Sequence, residues 1–337
     1  MAKNVSLQTE RQLAIGRGKG DQVPLVTVVT PSYNQARFLE ETILSVLSQE
    51  YPRVEYIVID GGSTDGSADI ISKYADRLAY WASERDRGQA HAINKGWARA
   101  TGDIIAYLNS DDLYTPGAIS RAVQVLQENP SACMVYSDAL LVNEHGDFIR
   151  NLRGRPFDIH NVITTEGFVP QPTVFIRRTA LDSVGLLDES LHMSMDYDLW
   201  VRLGLRYPAI YLPGEYLAKV RDHASAKTTA QVQKFALDRR RVLNKAFAQA
   251  DLSPSILGLR RSAYSAVSYY QAALAAYVGQ PREIVQPLLR ATLESPRYVL
   301  DRPLQTVGLL ARSLMPWWTA KPSPLVVKAW RVINRTT

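Results

Sequence analysis

The sequence of 337 residues contains one cysteine, Cys133, and no long apolar run. A single cysteine cannot form an intrachain disulfide, and its place in Ala132–Tyr136 indicates a small buried residue, so nothing predicts an oxidising compartment. No stretch reaches the run of about 18 apolar residues that a transmembrane helix needs, and Met1–Asp21 lacks a signal peptide's apolar core. We therefore expect a cytoplasmic protein that is soluble or peripheral on the inner face of the membrane.

The composition is that of an ordinary globular protein, with 46% apolar and 21% charged residues. The net charge of +6 is mild. It fits nucleic acid, anionic membrane surfaces and phosphorylated substrates equally well, so charge alone selects no partner.

The most informative stretch is Ile104–Asp112, an apolar run that ends in two adjacent carboxylates. Its apolar part suits a strand in the middle of a parallel sheet, where both faces are covered. Ligands of open α/β sheets bind at the carboxyl ends of the strands, and carboxylates there can hold a hard cation against a phosphate. The alternative is a pair of acids that only caps a strand-to-helix loop.

Strands and helices alternate in the first part of the chain. The predicted strands are Leu25–Thr30, Val54–Asp60, Leu78–Trp81 and Ile104–Leu108, and the predicted helices are Phe38–Gln49, Ala68–Tyr74 and Ala90–Arg99. This alternation predicts βαβ units, and therefore a Rossmann-like, mostly parallel α/β sheet flanked by helices.

The regular alternation of strands and helices ends after Pro130. Further strands are predicted at Met134–Asp138, Ala139–Asn143, Phe148–Arg150, Thr173–Ile176, Ile210–Leu212 and Leu217–Val220, with helices at Arg178–Val184 and Tyr197–Arg206. From about Lys227 the pattern is almost wholly helical.

Three polar stretches follow predicted strands: Thr30–Asn34, Asp60–Asp65 and Asp111–Asp112. Each stretch alone could simply form a turn or cap a helix, since Ser, Thr and Asp cap helices and Gly-Gly favours turns. Asp65 in particular is expected to be a helix cap. Together on one sheet, the three stretches predict a crevice the size of a nucleotide.

The chain resembles family 2 glycosyltransferases, which have the GT-A fold. The blocks that carry the resemblance are Val28–Gln35, Ser45–Gln49, Asp60–Ser67, Asp86–Gln89 with Asn94–Gly96, Leu108–Asp112, Gln171–Phe175 and Asp196–Trp200. The resemblance covers roughly 24–228 and implies a GT-A catalytic domain at 23–228. The residues outside it predict a flexible leader at 1–22 and a helical C-terminal region at 229–337.

The resemblance also implies a nucleotide-diphosphate-sugar, Mg²⁺ or Mn²⁺, and sugar transfer with inversion to a glycan or lipid-linked hydroxyl. Such enzymes serve bacterial cell-surface polysaccharide or glycolipid synthesis. The implied residues that bind the nucleotide-sugar are Thr30, Pro31, Tyr33, Asp60, Asp86, Gln89, Asp111 and Lys227. Pro31 and Tyr33 would flank the nucleobase, and Asp112 would ligate the metal.

By the same resemblance, Asp196 would be the catalytic base that takes the proton of the attacking hydroxyl. Its simpler role is an acid at the start of the following helix, and the two roles are compatible. His223 would be a metal ligand or a diphosphate contact, although a histidine near a strand end is often only structural.

The sequence departs from the family pattern at three positions. Gly61 follows Asp60 where a second acid is common, so the nucleobase preference stays open. Asn109 stands where an acid often opens the metal motif, and Met195 stands where a Glu often precedes the base. The acids assigned to the chemistry remain.

The C-terminal segment from Leu304 to Ile333 is apolar with interspersed cations, which are Arg312, Lys321, Lys328 and Arg331, followed by Arg335. Met315–Trp318 adds two tryptophans. This composition suits an interfacial helix on anionic lipid, whereas a buried terminal helix pair is the alternative.

Two other functions fit part of the pattern. One is a non-catalytic protein that binds sugar nucleotides on the same fold. The other is a nucleotidyltransferase, but no Gly-rich triphosphate loop with a basic clamp lies near the N-terminus. A processive synthase is disfavoured because no transmembrane helix is predicted, and no nucleic-acid partner is expected.

Overall fold

The structure is a computed structural model that describes residues 23–164, 168–223, 232–277 and 279–314. These residues form two compact units, one with 23–159 and 168–223, the other with 160–164 and the described residues from 232 onward. The predicted leader at 1–22 and the predicted boundary at 228 lie outside the described residues. In the described part of the chain, no helix has the length and apolar character needed to cross a membrane.

The first unit is built on a mixed sheet of nine strands. They are β1 (Val26–Ser32), β2 (Val54–Asp60), β3 (Tyr80–Ser83), β4 (Ile104–Tyr107), β5 (Leu113–Tyr114), β6 (Met134–Val142), β7 (Phe148–Leu152), β8 (Phe175–Arg177) and β9 (Ile210–Arg221). The order is β3-β2-β1-β4-β8-β6-β9-β5, and β7 pairs with β6.

The helices of the first unit are α1 (Ala36–Leu47), α2 (Ser67–Ser72), α3 (Gln89–Arg99), α4 (Ala118–Glu128), α6 (Arg178–Val184) and α7 (Met195–Gly204). Short helix α5 (Ile159–Ile163) begins at the end of this unit, and all but its first residue belongs to the second. The second unit also contains α8 (Val232–Phe247), α9 (Pro254–Gly258), α10 (Arg260–Tyr277), α11 (Val285–Glu294), α12 (Pro296–Leu300) and α13 (Pro303–Ser313).

The expected parallel sheet is present in the first half of the chain. β1 pairs with β2 and β4 in parallel, and β2 pairs with β3 in parallel. The second half adds antiparallel pairs of β8 with β4 and with β6, so the whole sheet is mixed. Strands β1 and β4 are fully buried, which fits the absence of charged residues from both.

Two pairs of predicted strands are each one strand in the structure. Strand β6 is continuous because β9 pairs with it in parallel from Val135 to Val142. Strand β9 unites Ile210–Leu212 and Leu217–Val220, and the register against β6 shifts between them. The intervening Gly214 has φ +78°. This irregularity accounts for the apparent break in the sequence pattern.

The second unit has its own apolar core, which contains Ile284, Leu288, Ala291 and Val299. Beside this core, Glu294 at the end of α11 accepts a hydrogen bond from the hydroxyl of Ser268 (2.7 Å) and pairs with Arg240. Its helices are therefore packed against one another by apolar and by charged contacts.

Helix α3 approaches β1 so closely that Gly96 has no room for a side chain. A Cβ atom at this position would lie 2.5 Å from Cγ1 of Val29, a fully buried residue of β1. The close packing places the N-terminus of α3, and with it Gln89, against the carboxyl edge of the sheet.

We expect Gly96→Ala to destabilise the protein by about 1–3 kcal/mol, because the added methyl group overpacks a rigid contact. Thermal unfolding followed by circular dichroism measures the effect. The matched control is Gly308→Ala in α13, where nothing lies within 4 Å of the added Cβ. A helix-interior alanine there is expected to be neutral or stabilising, so equal loss in both variants would contradict the packing argument.

Candidate active site

The polar stretches that follow β1, β2 and β4 meet at one edge of the sheet. Ser32 pairs with Asp60 at the ends of β1 and β2, and Val29 pairs with Tyr107 at the end of β4. Because these strands are parallel, the three stretches predicted to form a crevice come together.

The Asp111–Asp112 pair is the most strongly charged feature of this edge. Asp112 is 4% exposed. Its Oδ1 accepts a hydrogen bond from the backbone N–H of Arg221 (3.1 Å), and its Oδ2 accepts one from Nδ2 of Asn109 (3.3 Å). Burial and the charge of Asp111 raise the pKa of Asp112 well above its usual range, although these hydrogen bonds oppose the shift. A bound cation would relieve this unfavourable burial.

Arg221 at the end of β9 holds this acidic segment in place. Its guanidinium, 1% exposed, donates to the backbone oxygens of Asp111 (3.1 Å) and Glu144 (3.0 Å) and to the carboxylate of Glu41 (2.7 Å). It also lies over the ring of Phe38, 4.8 Å from the centroid. No local pattern in the sequence points to this role of Arg221, since its partners are remote along the chain.

His223 lies beside the same pair. Its Nε2 is 3.0 Å from Oδ2 of Asp111, and its ring packs 4.8 Å from that of Phe38. His223 therefore contacts Asp111 in this structure, and its metal-binding role stays a prediction. Within the described ranges, no group of three or more His, Cys, Asp or Glu side chains is arranged to hold a metal.

Asp196 lies in the first turn of α7. It is half-buried, and its Oδ1 accepts the N–H of Tyr197 (2.8 Å), so it does stabilise the start of the helix. Burial raises the pKa of Tyr107 well above its usual range, and the charges of Asp196 and Asp112 raise it further. Both carboxylates thus act on the hydroxyl of one buried tyrosine at the end of β4.

Asp60 organises the loop after β2. It is fully buried, and its carboxylate accepts hydrogen bonds from the N–H groups of Gly62 (3.1 Å) and Ser63 (2.9 Å) and from the hydroxyls of Ser63 and Ser83. The hydroxyl of Thr30 is also buried, 3.0 Å from that of Tyr56. Direct contact of Thr30 or Asp60 with a ligand stays a prediction.

Tyr33 and Asp86 both lie beside Gly61, just after the end of β2. Tyr33 is 63% exposed, whereas the neighbouring Pro31 is buried. A Cβ on Gly61 would lie 2.6 Å from Oδ2 of Asp86 and 3.2 Å from the ring of Tyr33. The carboxylate of Asp86 therefore lies where a second acid after β2 would project.

Asp65 ties two helices together. Its Oδ2 accepts the N–H of Ala36 at the start of α1 (2.8 Å), and its Oδ1 accepts the N–H of Ser67 at the start of α2 (3.1 Å). Although slight burial raises its pKa, these hydrogen bonds lower it on balance. The expectation of a helix cap is confirmed. Lys227 lies outside the described residues.

Comparison with known proteins identifies the family. Residues 27–185 match the family described as glycosyl transferase family 2. An uncharacterized glycosyltransferase of Mycobacterium tuberculosis is 31% identical over 187 residues, which cover 54% of this chain and 70% of that protein. The chain belongs to glycosyl transferase family 2.

Other proteins named as glycosyltransferases are similar over comparable lengths of this chain. An uncharacterized glycosyltransferase of Rickettsia typhi is 31% identical over 213 residues, covering 61% of this chain and 66% of that protein. A relative from Rickettsia bellii is 30% identical over 215 residues, which cover only 30% of its length. The matched region therefore spans only part of these relatives, and the rest of their sequences has no counterpart in the match.

Solved structures share the GT-A fold. The mannosyltransferase PcManGT from Pyrobaculum calidifontis, in complex with GDP-Man and Mn²⁺, has a TM-score of 0.57 at 21% identity and covers 97% of this chain and 93% of that one. TarS 1–349 of S. aureus with UDP-GlcNAc has a TM-score of 0.62 at 16% identity, covering 91% and 92%. The predicted fold is confirmed, including the helical C-terminal region.

We expect Arg221→Met to lower the free energy of unfolding by about 2 kcal/mol, because two backbone carbonyls lose their donor while the unbranched side chain still covers Phe38. Urea denaturation measures this loss. Arg37→Met is the control, since Arg37 also lies over Phe38 (5.1 Å) but is 57% exposed in its pair with Glu144. Surface pairs contribute about 0–1 kcal/mol, so an equal loss for Arg37→Met would show that Arg221 has no special role.

Proposed function

We propose that this family member transfers a sugar from a nucleotide-diphosphate-sugar to an acceptor hydroxyl, with inversion at the anomeric carbon. The observation that supports this most directly is the shared action of Asp112 and Asp196 on the hydroxyl of Tyr107. In this proposal Asp112 lies on the metal and diphosphate side of the nucleotide-sugar, and Asp196 lies on the acceptor side.

Asp196 is the base in this mechanism. As the acceptor oxygen forms its bond to the anomeric carbon, its proton passes to the Asp196 carboxylate, and the bond from that carbon to the diphosphate oxygen breaks. A single displacement of this kind inverts the configuration. The hydrogen bond from Tyr197 and the start of α7 hold the carboxylate in position.

The residues around Asp112 suit a divalent cation. Mg²⁺ needs only one or two protein carboxylates, because waters and substrate phosphates complete its shell, so the absence of a larger cluster among the described residues is no obstacle. Asp112 would hold Mg²⁺ or Mn²⁺, with Asp111 and His223 beside it. When bound, the cation neutralises the charge that develops on the leaving diphosphate.

The nucleoside end would lie between Tyr33 and Asp86. An exposed aromatic ring offers a stacking face, and the Asp86 carboxylate accepts hydrogen bonds from N–H groups of a base or from ribose hydroxyls. PcManGT with GDP-Man and TarS with UDP-GlcNAc provide the two nucleotide-sugars to test first.

We expect Asp196→Asn to lower kcat by about 10²–10⁴-fold and to leave Mn²⁺-dependent binding of the nucleoside diphosphate unchanged, since only the proton acceptor is lost. The assay is release of UDP or GDP from UDP-GlcNAc or GDP-Man, with binding measured by isothermal titration calorimetry.

Asp182→Asn, an exposed acid on α6, is the charge-matched control and should keep full activity. Nucleotide binding without turnover in the unsubstituted protein would favour a non-catalytic protein. Consumption of a nucleoside triphosphate with release of pyrophosphate would identify a nucleotidyltransferase.

The C-terminal helices support a second part of the proposal, docking on an anionic membrane that carries a lipid-linked acceptor. Apolar side chains that are 60–85% exposed lie on α11, α12 and α13 and just after them: Leu289, Leu293, Leu300, Leu304, Val307 and Leu314. Different residues of the same helices, such as Leu288 and Leu309, fill the core. The sequence after Asp301 contains cations and no acid, which complements anionic headgroups.

The protein is therefore expected to cosediment with phosphatidylglycerol vesicles much more than with phosphatidylcholine vesicles, and less as salt increases. Leu293→Asp with Leu304→Asp should weaken this binding about tenfold or more, since both changes place charge in the apolar face. Leu237→Asp, at an exposed leucine of α8, is the control. Equal binding to both vesicle types, or no loss in the double variant, would contradict membrane docking.

A further inference from the structure

A chain of side-chain amides runs beneath the acidic pair. Nε2 of Gln89 donates to Oδ1 of Asn109 (2.7 Å). Nδ2 of Asn109 donates to Oε1 of Gln171 (3.1 Å) and to Oδ2 of Asp112 (3.3 Å). Nε2 of Gln171 donates to the backbone oxygen of Tyr107 (2.9 Å). We call this chain of Gln89, Asn109 and Gln171 the amide relay.

The two ends of the amide relay determine its direction. The backbone oxygen of Tyr107 can only accept, and an ionised Asp112 carboxylate can only accept. Gln171 must therefore point its NH₂ group at Tyr107 and its oxygen at Asn109. The two hydrogens of the Asn109 amide are then both used, one for Gln171 and one for Asp112.

We propose that Asn109 is a positioning residue that fixes the rotation of the Asp112 carboxylate toward a bound cation, and that the site requires a neutral amide at this position. This inference rests on the proposed function. According to this inference, the asparagine at position 109 is needed for cation binding. It is not merely the replacement of an acid that often opens the metal motif.

Replacement of Asn109 by Asp distinguishes these two interpretations. An additional carboxylate next to Asp111 and Asp112 would ordinarily strengthen cation binding. In the amide relay the new oxygen would instead face Oε1 of Gln171 and Oδ2 of Asp112 with no hydrogen between them. Rotation of the Gln171 amide would only move the conflict to the Tyr107 carbonyl, so with both carboxylates ionised the relay is one donor short in either arrangement.

The test compares the unsubstituted protein with Asn109→Asp and with Asn151→Asp. Asn151 is an exposed residue of β7, so its variant carries the same isosteric change and the same added charge. Mn²⁺ binding is measured by electron paramagnetic resonance, and Mn²⁺-dependent binding of UDP and GDP by calorimetry, below the unfolding temperature of all three proteins. A purely structural role of Asn109 would leave these affinities unchanged in the folded variant.

Asn109→Asp is expected to weaken Mn²⁺ binding and Mn²⁺-dependent nucleotide binding at least about tenfold, which corresponds to about 1.4 kcal/mol. Asn151→Asp should stay close to the unsubstituted protein. Unchanged or tighter Mn²⁺ binding by Asn109→Asp would overturn the inference.

Failure of the proposed function gives a different result. If the unsubstituted protein does not bind Mn²⁺ in the presence of UDP or in the presence of GDP, the proposed metal role fails. The amide relay is then judged by thermal unfolding without metal, where Asn109→Asp must melt below Asn151→Asp. Equal melting temperatures of the two variants would overturn the relay itself.

Discussion

The burial of the Asp112 carboxylate beside Asp111 is the constraint on which the rest of the site depends. Two adjacent acids at a sheet edge repel each other, and burial raises the cost of the charged form. The carboxylate of Asp112 is stabilised by hydrogen bonds from the backbone N–H of Arg221 and the side-chain amide of Asn109. The guanidinium of Arg221 in turn donates to the carboxylate of Glu41. A role in loop capping explains this arrangement poorly, because an exposed acid could cap the loop without the free-energy cost of burying a carboxylate. The arrangement is consistent with the proposed cation site.

The topology brings Asp196 within electrostatic range of Tyr107. Strand β8 pairs antiparallel with β4, and α6 and α7 follow it, so a residue far along the chain returns to the end of the central strand. Tyr107 then lies under the influence of both Asp112 and Asp196. The mixed half of the sheet therefore has a functional consequence, because it supplies the proposed base that the parallel half lacks.

The parallel half of the fold can be predicted from the sequence, because its central strands β1, β2 and β4 are rich in apolar residues and lead into polar stretches. Single strands that contain a bulge cannot, and β9 is interpreted as two strands because Pro213 and Gly214 interrupt its pattern. The acids of the site stand out in the sequence, whereas their supports do not. Arg221 and Glu41 are 180 positions apart in the sequence, and no local sequence pattern predicts that their side chains pair. The amide relay is equally hidden, because Gln89 and Gln171 approach Asn109 only after the sheet has formed.

The most direct test of this account is anomalous diffraction at the manganese edge from crystals grown with Mn²⁺ and a nucleoside diphosphate. The account predicts a peak about 2–2.6 Å from a carboxylate oxygen of Asp112, with the diphosphate against it and the Asp196 carboxylate facing the space left for a sugar. A manganese site remote from Asp112, or an Asp196 side chain turned away from the diphosphate, would contradict it.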